Sequence, residues 1–162
     1  VGELVKPLLA GRSAGVISEA GVPGVADPGA AVVAECHRCG IRVVPLVGPS
    51  SILLALMASG LNGQSFAFNG YLPVKPPERS RAIRFFERRA QAEGQSQLFI
   101  EAPYRNVKLF EELLRTLAPT TRLTLAVDVT APGERIITRT VAEWQRLPLP
   151  EMNKRPAIFI IG

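Results

Sequence analysis

Residues 18–29 read Ser-Glu-Ala-Gly-Val-Pro-Gly-Val-Ala-Asp-Pro-Gly, and this loop decides how the first half of the chain folds. An apolar strand-like segment precedes it, and an apolar helix-like segment begins at residue 30. A second loop, Leu-Val-Gly-Pro-Ser-Ser at 46–51, follows the next strand-like segment. Glycine and proline fix the shape of such loops and leave backbone N–H groups free. Two of them at successive strand ends predict a small-molecule site built mainly from backbone.

The order of elements around these loops predicts an α/β fold. Strands at 14–18 and 42–46 alternate with helices at 30–39 and 50–59, which indicates right-handed crossovers and a parallel sheet. Ser50 is placed to cap the second helix, and Gly60 is placed to end it.

The second half of the chain predicts a mixed sheet. An extended passage at 66–73 precedes two helices and four strands, at 78–92, 97–100, 106–117, 122–128, 135–140 and 157–161. We therefore expect two small α/β lobes with a cofactor cleft between them: a parallel-sheet N-terminal part, residues 1–70, and a mixed-sheet C-terminal domain, residues 71–162.

Length and composition narrow the class of protein. A chain of 162 residues buries one good core or two small ones. No apolar run approaches the roughly 18 residues that span a bilayer, and residues 1–9 do not resemble a secretory signal, so the cytoplasm is the default compartment. Since the chain lacks an initiator Met, we read it as a piece whose upstream half-domain is missing.

Charge is concentrated in the second half. Residues 1–70 carry four basic and four acidic side chains, so the net charge of +5 lies entirely in residues 71–162. Arg81, Arg84 and Arg88 share one face of the predicted helix 78–92. Such a surface suits a polyanion such as RNA, and an ordinary solvated face is an equally good interpretation.

Cys36-His37-Arg38-Cys39 has the C-x-x-C spacing of half a zinc site. His37 is the only histidine, and no second pair of ligands completes the set, so we expect no metal. Asp27 stands just before a helix and is interpreted as its N-cap.

Five motifs in order are SEAGVPGVADPG, VVPLVGPSS, FNGYLP, EAPYRN and the closing KRPAIFIIG. Together they resemble the tetrapyrrole methylase superfamily, and most closely its branch that methylates ribose 2′-hydroxyls of small-subunit ribosomal RNA. The chain departs from that branch at Glu19, where aspartate is usual. It also has VDVTA at 127–131 in place of R-E-L-T-K, and KRP at 154–156 in place of K-G-E. These departures suggest a divergent paralogue.

The resemblance implies two α/β domains with S-adenosylmethionine bound in the cleft between them, and usually a homodimer. It places Ala20, Gly21, Ser50 and Ser51 in the cofactor site. From the second lobe it adds three residues that approach the adenine, Ala126, Pro156 and Ala157. It implies no metal and no membrane.

A ribose hydroxyl is a poor nucleophile and benefits from a general base. Glu101 follows the strand 97–100, with Arg105 close behind, and these two are the candidate catalytic residues. Glu101 could accept a proton, or it could pair with Arg105 and brace the loop.

Three functions stay open on the sequence. The leading one is an S-adenosylmethionine-dependent methyltransferase of ribosomal RNA. The others are a methyltransferase of a tetrapyrrole or other small acidic molecule, and a non-catalytic binding paralogue.

Overall fold

A computed structural model describes all 162 residues and contains one five-stranded mixed sheet. The strands are β1 (Phe66–Tyr71), β2 (Ser96–Ile100), β3 (Arg122–Val127), β4 (Arg135–Thr140) and β5 (Ala157–Ile161). Their order across the sheet is β1-β2-β5-β3-β4. β1 and β2 are parallel, whereas β5 is antiparallel to both β2 and β3, and β4 is antiparallel to β3. The mixed sheet expected for the second half of the chain is confirmed.

Six α-helices accompany the strands. They are α1 (Gly2–Leu9), α2 (Ala30–Arg38), α3 (Ser51–Ser59), α4 (Pro76–Glu93), α5 (Asn106–Thr116) and α6 (Val141–Gln145). A 3-10 turn, Pro103–Arg105, leads into α5. None of these helices combines the length and the hydropathy that crossing a lipid bilayer requires.

The main core lies between the sheet and helices α4 to α6. Phe99 and Phe159 of the sheet pack with Ile83 of α4 and Phe110 of α5, and all four side chains are fully buried. Ile83 and Phe110 lie on the apolar sides of amphipathic helices, so each helix turns one face to the core and the other to solvent.

A second cluster joins α3 to the sheet. Ile52, Ala55 and Leu56 pack with Leu98 and Ala126, among other strand residues. The hydroxyl of Thr138 donates to the carbonyl of Ser59 over 2.6 Å and ties the end of α3 to β4. α3 ends at Ser59, and Gly60 follows with a φ of 71°, as expected for a glycine that stops a helix.

The chain divides into two compact units, Val1–Ser50 and Ser51–Gly162. The division falls before α3, whereas the boundary predicted from the sequence lies at residue 70. α3 therefore packs with the unit that holds the sheet, and the boundary at residue 70 stays a prediction.

The first unit holds helices α1 and α2 but no strand. The segments 14–18 and 42–46, predicted as strands, belong to no hydrogen-bonded ladder. Ile17 is 92% exposed and Leu46 87% exposed. A strand forms only when its backbone pairs with a neighbour and its side chains pack, and neither happens here. The prediction of a parallel sheet within residues 1–50 was wrong.

Candidate functional site

One edge of the sheet gathers the chemistry-bearing residues of the second unit. β1, β2 and β3 run in the same direction and end there, and β5 begins there. The register pairs Tyr71 with Ile100, Ile100 with Ile158, and Val127 with Ala157. The residues that follow β2 and β3, and those that precede β5, are therefore neighbours in space although they are distant in sequence.

Glu101 is the first residue after β2 and is only 5% exposed. Its Oε1 accepts hydrogen bonds from the backbone N–H of Ala102 over 2.7 Å and from Nε of Arg105 over 3.0 Å. Its Oε2 is buried and has no hydrogen-bond partner in the protein. Since a buried carboxylate oxygen without a partner costs free energy, this oxygen is suited to accept a hydrogen bond from a bound molecule.

Arg105 faces Glu101 from the 3-10 turn. Its Nη2 lies 3.0 Å from Glu101 Oε1, and the hydrogen bond with Glu101 raises the pKa of the guanidinium. The guanidinium carbon lies 4.8 Å from the ring centroid of Tyr104, and Nη1 donates to the Tyr104 hydroxyl. The brace that the sequence offered as one role for this pair is therefore present, and it occupies only one of the two oxygens of Glu101.

Asn106 is a site residue that the sequence reasoning did not single out. It begins α5, is fully buried, and donates from Nδ2 to the carbonyl of Arg155 over 2.6 Å. Its Oδ1 is buried without a partner, like Oε2 of Glu101. The sequence feature that could have pointed to Asn106 is its position, because it is a short polar residue directly after E-A-P-Y-R, at the start of a predicted helix.

Arg155 joins two loops beside the start of β5. Its Nε donates to Oδ2 of Asp128 over 2.7 Å, and its Nη2 lies 2.6 Å from the same oxygen and donates to the carbonyl of Gly133 over 2.9 Å. A Cβ on Gly133 would lie 2.6 Å from that Nη2, so a larger residue there would force the guanidinium to shift. Asp128 adopts a φ of 50°, a conformation that aspartate tolerates better than most residues.

Three of the predicted cofactor residues come together here. Ala126 and Ala157 lie on the adjacent strands β3 and β5, and the N–H of Asp128 donates to the carbonyl of Pro156 over 3.0 Å. Pro156 is exposed, whereas Ala126 and Ala157 are buried. Of these three residues, only Pro156 is therefore open to solvent.

Ser51 begins α3 and is exposed. The next residue, Ile52, packs in the same apolar cluster as Ala126 and Ile158. The hydroxyl of Ser51 is therefore held on a helix that is fixed to the same sheet.

Ala20, Gly21 and Ser50 belong to the first unit. Gly21 has a φ of 74°, and the hydroxyl of Ser18 donates to the carbonyl of Ala20 over 2.8 Å. The two glycine-rich loops approach one another, because a Cβ on Gly48 would lie 3.4 Å from Cγ1 of Val22. That the two loops form a small-molecule site built mainly from backbone stays a prediction.

Two further expectations concern α2. The helix begins after Gly29, which is its N-cap, and no side chain caps it. The N-cap role predicted for Asp27 was wrong, because the glycine, with a φ of 140°, turns the chain into the helix after Asp27. Cys36 is buried and Cys39 is half-buried, both are free thiols, and no group of three or more His, Cys, Asp or Glu side chains is arranged to hold a metal ion.

Comparison with known proteins identifies the family. Residues 2–145 match Tetrapyrrole (Corrin/Porphyrin) Methylases. Among curated proteins, a Ribosomal RNA small subunit methyltransferase I from Vibrio cholerae is 35% identical over 149 residues, covering 92% of this chain and 48% of the relative. The protein of the same name from Escherichia coli O157:H7 is 32% identical over 158 residues, covering 98% and 54%. The chain thus spans about half the length of the curated relatives it matches.

Solved structures show the same fold. The methyltransferase CobJ superposes with a TM-score of 0.63 at 20% identity, covering 99% of this chain and 69% of that one. The match of the family over most of the chain, together with the glycine-rich loops and the mixed sheet, shows that this protein belongs to the tetrapyrrole methylase family.

Proposed function

We propose that this chain carries part of an S-adenosylmethionine-dependent methyltransferase that acts on a ribose 2′-hydroxyl of ribosomal RNA. The observation that carries the proposal is the similarity of 92% or more of the chain to curated proteins named Ribosomal RNA small subunit methyltransferase I. A cytoplasmic location and a homodimer are further parts of the same proposal.

The residues at the sheet edge fit an adenosine-containing cofactor. Oδ1 of Asn106 is a buried acceptor that lacks a donor, and a nucleoside supplies donors through its hydroxyl and amino groups. Pro156 and Ser51 offer exposed contacts, and Ala20, Gly21 and Ser50 offer a backbone-rich loop surface in the first unit. When bound, S-adenosylmethionine supplies a methyl group activated by its sulfonium.

Methyl transfer to a hydroxyl depends chiefly on alignment. The brace from Arg105 keeps one oxygen of Glu101 engaged and fixes the direction of the other. The free oxygen can then hold the proton of a substrate hydroxyl as the nucleophile reacts. Glu101 is thus the proposed general base, and Arg105 is the residue that positions it.

Two experiments test this proposal. Calorimetry of the 162-residue protein with S-adenosylmethionine should show binding, and no heat at millimolar cofactor would favour the non-catalytic paralogue. Transfer of a radiolabelled methyl group should then occur to small-subunit ribosomal RNA and not to a tetrapyrrole. Label on the tetrapyrrole alone would reject the RNA substrate and support the second enzyme hypothesis.

The role of Glu101 is tested by Glu101→Gln, with Glu111→Gln as the matched control. Glu111 is exposed on α5 and makes no ion pair, so its substitution should leave activity unchanged. We expect Glu101→Gln to lower kcat by about a hundredfold or more, the range typical of general bases, and to remove the acidic limb of the pH profile. A loss in kcat with that limb intact would assign Glu101 the bracing role alone.

A further inference from the structure

The outer face of α4 is both basic and aromatic. Ile83 and Ala90 of this helix are buried in the core, whereas Arg81, Phe85 and Arg88 are exposed. Since these positions are three or four residues apart, they lie on one side of the helix.

The arginines on this face keep their charge available. Arg84 and Arg88 make neither an ion pair nor a side-chain hydrogen bond, and the nearest carboxylate oxygen to Arg81 belongs to Glu78 at 4.0 Å. The contrast is Arg79 on the inner side, whose Nε lies 2.5 Å from Oε2 of the buried Glu112. The outer arginines are therefore free to contact phosphate groups.

Phe85 is 52% exposed and borders a shallow groove of about 350 Å³. Its ring meets Phe86 edge-on, with centroids 5.1 Å apart, so one ring face remains uncovered by that partner. The groove is lined by Phe85, Arg88, Arg89, Ala92 and Glu93. An open aromatic ring flanked by guanidinium groups is the arrangement with which proteins bind an unpaired base and its phosphates.

The position of α4 connects this face to the candidate site. The helix begins at Pro76, just after β1 ends at the site edge, and leads back to the start of β2. Its 18 residues span about 27 Å, and Arg81 and Arg88 are separated by about 10 Å along the axis. A single-stranded nucleic acid that leaves the candidate site can therefore run along α4.

We propose that the outer face of α4 is a docking site for single-stranded RNA. Phe85 stacks on an unpaired base, and Arg81, Arg84 and Arg88 contact the backbone phosphates. The choice of RNA rests on the proposed function. A second copy of the chain is a poor occupant, because two such basic faces repel each other.

The test measures RNA binding without cofactor. A fluorescein-labelled oligouridine of 12 nucleotides, which forms no secondary structure, is titrated with the 162-residue protein at several salt concentrations, with fluorescence anisotropy as the readout. We expect Phe85→Leu, which keeps an apolar side chain, to weaken binding by about five- to a hundredfold with an unchanged salt slope. Arg84→Gln and Arg88→Gln should each reduce the magnitude of the slope by about 0.7.

Arg146→Gln is the matched control, because Arg146 is exposed beside α6, away from α4, and makes no ion pair. It should leave both affinity and slope nearly unchanged. Equal effects in the control and the α4 variants would overturn the proposal. The proposal would also be overturned if folded Phe85→Leu bound RNA as tightly as the wild type. This holds as well if sedimentation shows that Phe85→Leu has lost a dimer, since Phe85 would then serve an interface between copies of the chain.

The two experiments distinguish a failure of the docking site from a failure of the proposed function. Failure of the proposed function appears as absent S-adenosylmethionine binding or absent methyl transfer, with oligouridine binding through α4 intact. Failure of the docking site appears as oligouridine binding that is insensitive to Phe85 and the arginines, with cofactor binding intact.

Discussion

Replacement of Arg155 by alanine should loosen the sheet edge that carries the candidate site. The guanidinium reaches Asp128 through two nitrogens, at 2.7 and 2.6 Å, and donates to the carbonyls of Gly133 and Glu151 over 2.9 and 3.3 Å. These contacts hold the loop after β3 against the segment that precedes β5. The substitution removes all of them at once.

The magnitude follows from the burial of the pair. The Arg155 and Asp128 side chains are 24% and 19% exposed, between a surface pair and a buried one. Exposed pairs contribute about 0–1 kcal/mol, and breaking a buried pair costs about 3–5 kcal/mol. We therefore expect Arg155→Ala to lower the free energy of unfolding by about 2 kcal/mol. Arg155→Lys should recover less than half of this, since an ammonium cannot form the two-nitrogen contact.

Urea unfolding followed by tryptophan fluorescence measures the change. Trp144 is the only tryptophan in the chain and is buried in the second unit, so its signal reports that unit. Asp128→Asn and the double variant complete a thermodynamic cycle, with a coupling of about 1–2 kcal/mol expected. Arg115→Gln, which removes an exposed charge from α5, serves as control.

If Arg155→Ala lowered the free energy of unfolding by less than about 0.5 kcal/mol, with no coupling to Asp128, this reasoning would be refuted. Changes that small are typical of surface substitutions that remove no specific contact. Gly133→Ala provides an independent check. Its new Cβ would stand 2.6 Å from Nη2 of Arg155 and 3.1 Å from Oδ2 of Asp128, so it should destabilise the protein much less once Arg155 is alanine.

Two further predictions use the same unfolding assay. Glu112→Gln should cost about 3–5 kcal/mol because it leaves Arg79 charged and buried, and Arg79→Met combined with Glu112→Leu should restore most of that loss. Thr140→Ala should cost about 1 kcal/mol by removing the cap of α6. Hydrogen bonds from the backbone and side chain of Thr140 lower the pKa of Glu143. The contribution of Glu143 to stability is therefore present above about pH 4.5 and is lost as the pH falls through the lowered pKa. Thr140→Ala removes the side-chain bond and should weaken this dependence on acid pH.

The sequence predicted local elements well where their signals were local. β4 has the predicted bounds, and α5 begins at the predicted residue, Asn106. α6 was missed although Thr140 and Glu143 form a capping box, because five residues give too little apolar periodicity to notice. The prediction of strands within residues 1–50 was wrong for a different reason. A strand needs a pairing partner, and an apolar segment alone does not show whether one exists.

In the candidate site, too, only the contacts between residues close in sequence could be predicted. Glu101 and Arg105 are four residues apart, so their pairing could be anticipated from spacing. The unpartnered Oε2 of Glu101 could not, since it depends on what the rest of the fold places nearby. Whether Ala20, Gly21, Ser50, Ser51, Ala126, Pro156 and Ala157 line the cofactor site stays a prediction.

The departures from the family pattern at the site edge are coupled in space. The sequence differs from its branch around residues 127–131 and again around 154–156, and the structure pairs Asp128 of the first segment with Arg155 of the second. Gly133 gives the guanidinium the room it needs. Because Asp128 also donates from its N–H to the carbonyl of Pro156, the ion pair holds the backbone at Pro156 and Ala157 against the loop after β3. A substitution in either segment should therefore disturb the other, and the coupling between Asp128→Asn and Arg155→Ala measures how strongly.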